Sequence, residues 1–413
     1  MERLTTPSLS RPAILVVALL ACLLVAAISP VAKCQSAKPV ESPYRPHDPL
    51  NATAFDRFYN VDYDRAVQDF ERLAEKYPDN PFAVNHLLTG VLIRELYRMG
   101  ALNSGEYAND SFTSAPHHTA DPKAKEQIKQ LVQRAQRLEQ KTLDTNPNDV
   151  DALYARGVTR AQFATYTGLI EHAWFSALRN AVGARHDHER VLELSPGYAD
   201  AKLVVGAHNY VLGSLSWGVK VAASLVGLSG SKEKGIQYLQ ECANAGGEAS
   251  VDAKVLLILF LRREHRYEEA LQIDRGMATA YPHSSLVMLE EGNLLRALDK
   301  PDEAAASYRR VWQGGREGRY PGQHYEMAAI SLGELLHSRK DYQGAAAAYE
   351  LMNEVQQPDP DLKQKAGLGA GKMYDLMQKR ELAVKKYQEV IAVDSGNEHA
   401  ELARKYVKQA YRE

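Results

Sequence analysis

Four consecutive residues, His186, Asp187, His188 and Glu189, carry side chains that ligate metals or move protons. On a helix, neighbours in sequence project about 100° apart, and only positions three or four apart share a face. Of the four, His186 can share a face only with Glu189 or with Arg190, which is too few ligands for a metal site. A second stretch, Ala366-Gly-Leu-Gly-Ala-Gly371-Lys372-Met373, has the glycines and lysine of a phosphate-cradling loop. Its first glycine is misplaced, Met373 stands where a magnesium-binding hydroxyl is needed, and no strand precedes it. These glycines suit close helix packing instead. The sequence contains no His-Glu-x-x-His, Gly-x-Ser-x-Gly or Cys-x-x-Cys. No catalytic residue, metal or cofactor is assigned, and a non-enzymatic role is expected.

The elements that carry these residues read as helices. The chain has 413 residues, 45% hydrophobic and 25% charged, with Ala, Leu, Glu, Gln, Lys and Arg filling long polar-apolar stretches. Fifty Lys and Arg against 52 Asp and Glu leave a net charge of -2, so no strong positive field exists and nucleic acid is not expected as a partner.

Residues 1–34 read as an export signal or N-terminal anchor. Arg3 and Arg11 precede an apolar run from Ala13 to Ile28, followed by Ser29, Pro30 and small or polar residues. As a helix this run spans about 24 Å, short of the roughly 30 Å hydrocarbon core, which favours cleavage over retention. Leu19-Leu20-Ala21-Cys22 also has the form of a lipoprotein box, although the apolar run continues past it. Residues 35–50, with Pro39, Pro43, Pro46 and Pro49, read as an extended linker. Loss of the leader with Cys22 and Cys34 leaves Cys242 alone, at a helical core position beside Ile236 and Leu239. The expected location is outside the cytoplasm, periplasmic or associated with the cell envelope.

From residue 51 onward the sequence repeats. Tyr63, Ala66, Phe70 and Pro78 recur as Tyr267, Ala270, Asp274 and Pro282, then as Ala304 and Tyr308, as Tyr342, Ala345 and Tyr349, and as Ala383 and Tyr387. Gly292, Gly333 and Gly371 stand at a constant distance before Ala304, Ala345 and Ala383. Small side chains at such intervals let antiparallel helices approach closer than the usual 8 to 10 Å, while the tyrosines fill the space between units. This spacing resembles the tetratricopeptide repeat superfamily. The resemblance implies an all-α fold, a right-handed superhelical solenoid of helix-turn-helix repeats. Residues 51–250 are expected to be divergent and insertion-bearing, 251–396 a regular array, and 397–413 a terminal capping helix.

Three insertions, Met99 to Pro122, Thr165 to Leu178 and Leu212 to Lys232, postpone the second helix of their repeats. The first is polar and reads as a surface loop. Tyr166, Trp174 and Phe175 of the second can line an aromatic pocket against the third. From Leu212 to Gly230 the third carries one charge, Lys220, and this apolar segment leading into Gly227 to Gly235 resembles helical-repeat proteins of the inclusion-body-clearance family over about 30 residues, from which no function is carried over. Its Leu215, Trp217, Val221 and Leu225 are candidates for contact with a membrane surface or hydrophobic ligand, since so apolar an insertion must be covered. By the resemblance, first helices line the concave face, and positions past each glycine give Asn293, Arg296, Glu334, His337, Lys372 and Asp375 as groove candidates. Leu289 and Ile330 stand where the superfamily's carboxylate-clamp subclass places a lysine, so that subclass is not expected. The function expected is a scaffold that binds a protein or peptide partner.

Overall fold

The computed structural model describes residues 45–102, 119–217, 220, 224 and 228–413. All regular elements among them are helical: α1 Pro49–Tyr59, α2 Tyr63–Lys76, α3 Pro81–Arg98, α4 Pro122–Thr145, α5 Val150–Thr165, α6 Trp174–Leu194, α7 Lys202–Ser214, α8 Lys232–Ala245 and α9 Ser250–Arg263, then α10 Tyr267–Ala280, α11 Ser285–Ala297, α12 Pro301–Arg316, α13 Met327–Ser338, α14 Tyr342–Glu350, α15 Pro360–Leu376, α16 Arg380–Val393 and α17 Glu398–Lys408. Two compact units result. Of the described residues, those within 45–54 and 63–263 make one, and those within 55–62 and 264–413 the other.

Helix starts are written in the turns that precede them. Asn80 accepts hydrogen bonds from the backbone N–H groups of Phe82 and Ala83, with Pro81 in the first helical position. Asp149, Ser284, Asp359 and Asn397 cap α5, α11, α15 and α17 through their side-chain oxygens. Each satisfies backbone donors that a helix leaves open at its start. Helix ends share another device. Val61, His265, Asp299, Lys340 and Gln378 all take positive φ, between 55° and 65°. Each stands five residues before one of the alanines of the repeat. At Lys340 the backbone N–H bonds to His337 O at 2.8 Å and that of Asp341 to Leu336 O at 3.0 Å, the paired bonds of a Schellman ending.

In the first unit the helices pack in chain order from α2 to α9, and α3 also meets α5. Its core gathers Phe82, Leu153, Tyr154, Val191 and Tyr198. The second insertion is compact here. A single π-helical turn, Tyr166–Ile170, joins α5 to the start of α6. In the second unit α10 to α17 pack in order, with α13 also touching α11 and α15, so the first helices of successive hairpins form one layer and the second helices another. Residues 55–62 join this unit through Gln323, whose side-chain amide donates to Asn60 O at 3.0 Å and His283 O at 2.8 Å.

Candidate functional site

The inner layer of the second unit is built around three glycines. A methyl group on Gly292 would lie 2.4 Å from the ring of Tyr308, one on Gly333 2.6 Å from Tyr349, and one on Gly371 2.5 Å from Tyr387. Tyr349 is gripped from both sides, because a methyl on Gly369 of the next hairpin would meet it at 2.7 Å. The glycine-rich stretch around Gly371 is thus part of α15, not a phosphate loop. The hydroxyls tie the same crossings: Tyr308 donates to Asn293 Oδ1 at 2.9 Å and Tyr387 to Asp375 Oδ2 at 2.9 Å. Burial, then the bond to Asp375, pushes the Tyr387 hydroxyl well above the usual phenol range.

Asn293 and Asp375, expected to face outward, therefore turn toward the tyrosines of their own hairpins. Asp375 does more. It is 9% exposed, receives Arg380 Nη1 at 2.9 and 3.1 Å, and accepts the backbone N–H of Tyr411 at 2.8 Å. Arg380 also donates to the carbonyls of Tyr406 and Val407, both at 2.7 Å, which closes the end of α17. Beyond α17 the chain runs extended from Gln409 and lies along the inner layer. Glu413 Oε1 sits 2.9 Å from His337 Nε2, and Tyr342 donates to Glu413 Oε2 at 3.2 Å. These contacts, His337 first, hold the Glu413 carboxyl below its usual range. The ammonium of Lys372 lies 5.2 Å from the Tyr411 ring centre and 5.7 Å from that of Tyr406. Burial lowers its pKa. The groove candidates divide accordingly. His337, Lys372 and Asp375 converge on the C-terminal segment, while Arg296 pairs with Glu334 at 3.7 Å, and Glu334 also with Lys365 at 3.2 Å.

Two-layered hairpins locked by a glycine of the first helix under a tyrosine of the second, three times over, decide the fold. The array is of the tetratricopeptide type. No protein-family model and no curated protein matches the sequence. Among solved structures, PilF of Pseudomonas aeruginosa is 16% identical and aligns over 62% of this chain and 98% of its own, with a TM-score of 0.36. Human IFIT1, solved as a dimer with m7Gppp-AAAA, is 13% identical over 87% of this chain and 82% of its own, TM-score 0.40. YrrB, described as a tetratricopeptide repeat protein with an unusual peptide-binding site, is 16% identical over 65% and 97%, TM-score 0.28. These scores describe a distant likeness, and the assignment rests on the hairpin geometry of the chain itself.

In the first unit Asp187 and His188 of the acid-histidine run serve packing. Asp187 receives Arg156 and Arg160, each at 2.6 Å, and the ring of His188 fills the space that a side chain on Gly157 would occupy. His188 is fully buried, which lowers its pKa, and its Nδ1 lies 2.7 Å from Ala184 O. Cys242 is also buried, its thiol pushed up by that burial. Beside Asp187 opens a cleft of about 440 Å³ lined by Gln133, Gln136, Arg137, Glu139, Gln140, Arg156 and Arg160. Glu139 is 0% exposed, and burial pushes it up to about 7. The Thr159 hydroxyl touches Glu139, and also Asn85 Oδ1 at 2.7 Å. One hydroxyl proton cannot serve both acceptors, so a protonated Glu139 that donates to Thr159 completes the chain. Sequence reasoning missed Glu139 because a lone glutamate on a helix carries no pattern.

The aromatic pocket expected between the second and third insertions falls partly outside the described residues. Tyr166 is fully buried, stacked on Phe163 at 5.9 Å, whereas Phe175 is 59% exposed. Of the apolar candidates, Leu215 packs half-buried against Leu212 and Leu228, and Trp217 is 81% exposed. Val221 and Leu225 lie outside the described residues.

Proposed function

We propose that this chain is a scaffold that holds a polypeptide along the inner helices of its second unit, and that it does so after export, in the cell envelope. One observation carries the reading: the layer already seats an extended peptide, residues 409–413, through one main-chain hydrogen bond, one carboxylate pair and a cation over the Tyr411 ring. Side chains on rigid helices that engage backbone and side chain together are suited to polypeptide recognition. The leader-like Arg3-to-Ala37 segment supports export.

Affinity capture from envelope extracts by a chain ending at Lys408 tests the reading, with the synthetic pentapeptide Gln-Ala-Tyr-Arg-Glu as competitor. A retained protein that the pentapeptide releases is the expected result. Retention indifferent to the peptide, or no retained protein, defeats it. N-terminal sequencing of the chain recovered from cell fractions tests export.

A second reading, contact with a membrane surface or hydrophobic ligand, draws on the 81% exposure of Trp217. Among the described residues no helix is long and apolar enough to cross a membrane. Flotation with anionic and neutral vesicles, comparing the intact chain with Trp217→Asp, decides it. Loss of flotation in the variant supports lipid contact.

A further inference from the structure

The first unit contains a cage of aromatic and acidic side chains. Four turns at the starts of its first helices contribute one or two residues each: Phe82 from α3, Tyr154 from α5, Tyr198 and Asp200 from the turn before α7, and Glu248 from the turn before α9. Together they surround one side chain, Arg45. The guanidinium carbon lies 5.9, 5.7 and 5.8 Å from the ring centres of Phe82, Tyr154 and Tyr198. Its Nη2 donates to Asp200, and its Nη1 is 3.4 Å from Glu248. The Arg45 side chain is 13% exposed and that of Asp200 5%.

Every wall of this cage is also held by something other than Arg45. Phe82 stacks on Tyr154 at 5.8 Å, and Tyr154 meets Tyr198 at 4.9 Å. Tyr198 donates to Asp151 at 3.1 Å. Asp200 accepts the backbone N–H of Ala249 at 3.3 Å and presses on Gly247, where any side chain would strike its carboxylate at 2.1 Å. Glu248 is held by His86 at 3.0 Å and Asn51 at 3.2 Å. Burial alone would raise Glu248, but His86 and Arg45 outweigh it and hold the carboxyl at about 2. The cage is thus assembled by the fold, and the cation is brought to it by the proline-flanked segment that precedes α1.

A planar cation with donors along its edges fits this shape. Three rings accept a guanidinium by its faces, and two carboxylates take the edge N–H groups, a match that a compact ammonium cannot reproduce. With Arg45 withdrawn, Asp200 loses its guanidinium partner and Glu248 keeps only His86, in a largely desolvated site, which favours capture of another cation. We propose that this cage is a receptor for an arginine side chain of a partner polypeptide, and that Arg45 occupies it as the resident competitor. Tethering gives Arg45 a high effective concentration, so a partner must displace it with help from contacts beyond the cage.

The test uses the full chain and Arg45→Gln, with the blocked peptide Ser-Pro-Tyr-Arg-Pro-His-Asp as probe, and versions carrying lysine or citrulline in place of the arginine. Calorimetric titration is expected to show R45Q binding the arginine peptide roughly tenfold tighter than the lysine peptide, with no measurable binding of citrulline. The intact chain is expected to bind the arginine peptide too, but roughly tenfold more weakly than R45Q, because Arg45 must leave first. Equal binding of arginine and citrulline peptides by R45Q overturns the proposal. So does failure of the intact chain to bind at millimolar peptide, which would make Arg45 a fixed staple. Should R45Q lose its helical circular dichroism, Arg45→Lys, which keeps a cation in the cage, takes its place. It must then bind the arginine peptide more tightly than the intact chain does.

Discussion

The carboxylate of Asp375 accepts the backbone N–H of Tyr411 at 2.8 Å while also holding the hydroxyl of Tyr387 and the guanidinium of Arg380. One buried residue thus fixes a repeat crossing and seats the end of the chain on the inner helices. Because Asp375 turns toward its own hairpin, the surface offered to an extended segment is made as the repeat folds. On the proposed function, a partner chain in this layer would compete with residues 409–413 for the same acceptor.

Truncation after Lys408 is therefore expected to open the layer. A labelled Gln-Ala-Tyr-Arg-Glu peptide should bind the truncated chain and fail to bind the intact one, as read by fluorescence anisotropy. Replacing the terminal glutamate of the peptide by glutamine should weaken binding without abolishing it, since its pair with His337 is solvent-exposed and screened by salt. Equal anisotropy with both chains would show that the segment does not block the site.

Gly333 and Gly276 make a paired test of the repeat geometry. Alanine favours a helix interior over glycine by about 1 kcal/mol. Gly276 has nothing within 4 Å of its notional methyl, so Gly276→Ala should gain up to about 1 kcal/mol in urea denaturation. Gly333→Ala places the same methyl 2.6 Å from Tyr349, itself pinned against Gly369, and should lose about 1 to 3 kcal/mol despite its better propensity. Stabilisation by both would remove the steric reading of the glycines.

That steric demand is why the array was legible. Only glycine fits beneath a tyrosine ring, so Gly292, Gly333 and Gly371 mark the crossings in the sequence itself. The polar contacts were not legible, for a different reason. Asn293 and Asp375 look like any solvated helix residue until the tyrosine hydroxyls that claim them are placed. Contacts such as Tyr411 with Asp375, Glu413 with His337 and Arg45 with Asp200 join residues far apart in sequence, and no periodicity records them. The sequence could not tell the buried Tyr166 from the exposed Phe175, because helix-spaced aromatics carry no label for core or surface.

The hairpin turns hold another signal that composition hides. Lys340 takes a left-handed conformation, φ 61°, with a side chain that costs roughly 1 kcal/mol there, where glycine costs nothing. It is exposed. Lys340→Gly is expected to stabilise the chain by a few tenths to about 1 kcal/mol, the offset being the greater freedom of glycine in the unfolded chain. Urea denaturation at neutral pH checks it. A clear loss of stability would mean that Lys340 contributes contacts beyond its backbone.

Glu139 should make the stability of the first unit depend on pH in a direction opposite to most carboxylates. Its folded value, pushed up to about 7 by burial against the opposing pull of Thr159 and Arg156, lies above the ordinary 4.5. Between these two values the folded state keeps a proton that the unfolded state has released, so the contribution of Glu139 is fully present below about 4.5. It falls as pH rises and is exhausted above about 7, a change of about 3 kcal/mol across the window. Arg160 and Asp187, the other charged groups facing it, pull in opposite directions and leave burial dominant. Glu139→Gln keeps a donor toward Thr159 but cannot ionise. The difference in unfolding free energy between variant and parent, measured at pH 5 and pH 8 so that all other groups cancel, should therefore shift in favour of the variant at pH 8. A difference that stays constant between the two pH values would mean that Glu139 is ionised throughout and that Thr159 gives it the single proton, leaving the Asn85 carbonyl oxygen to other donors.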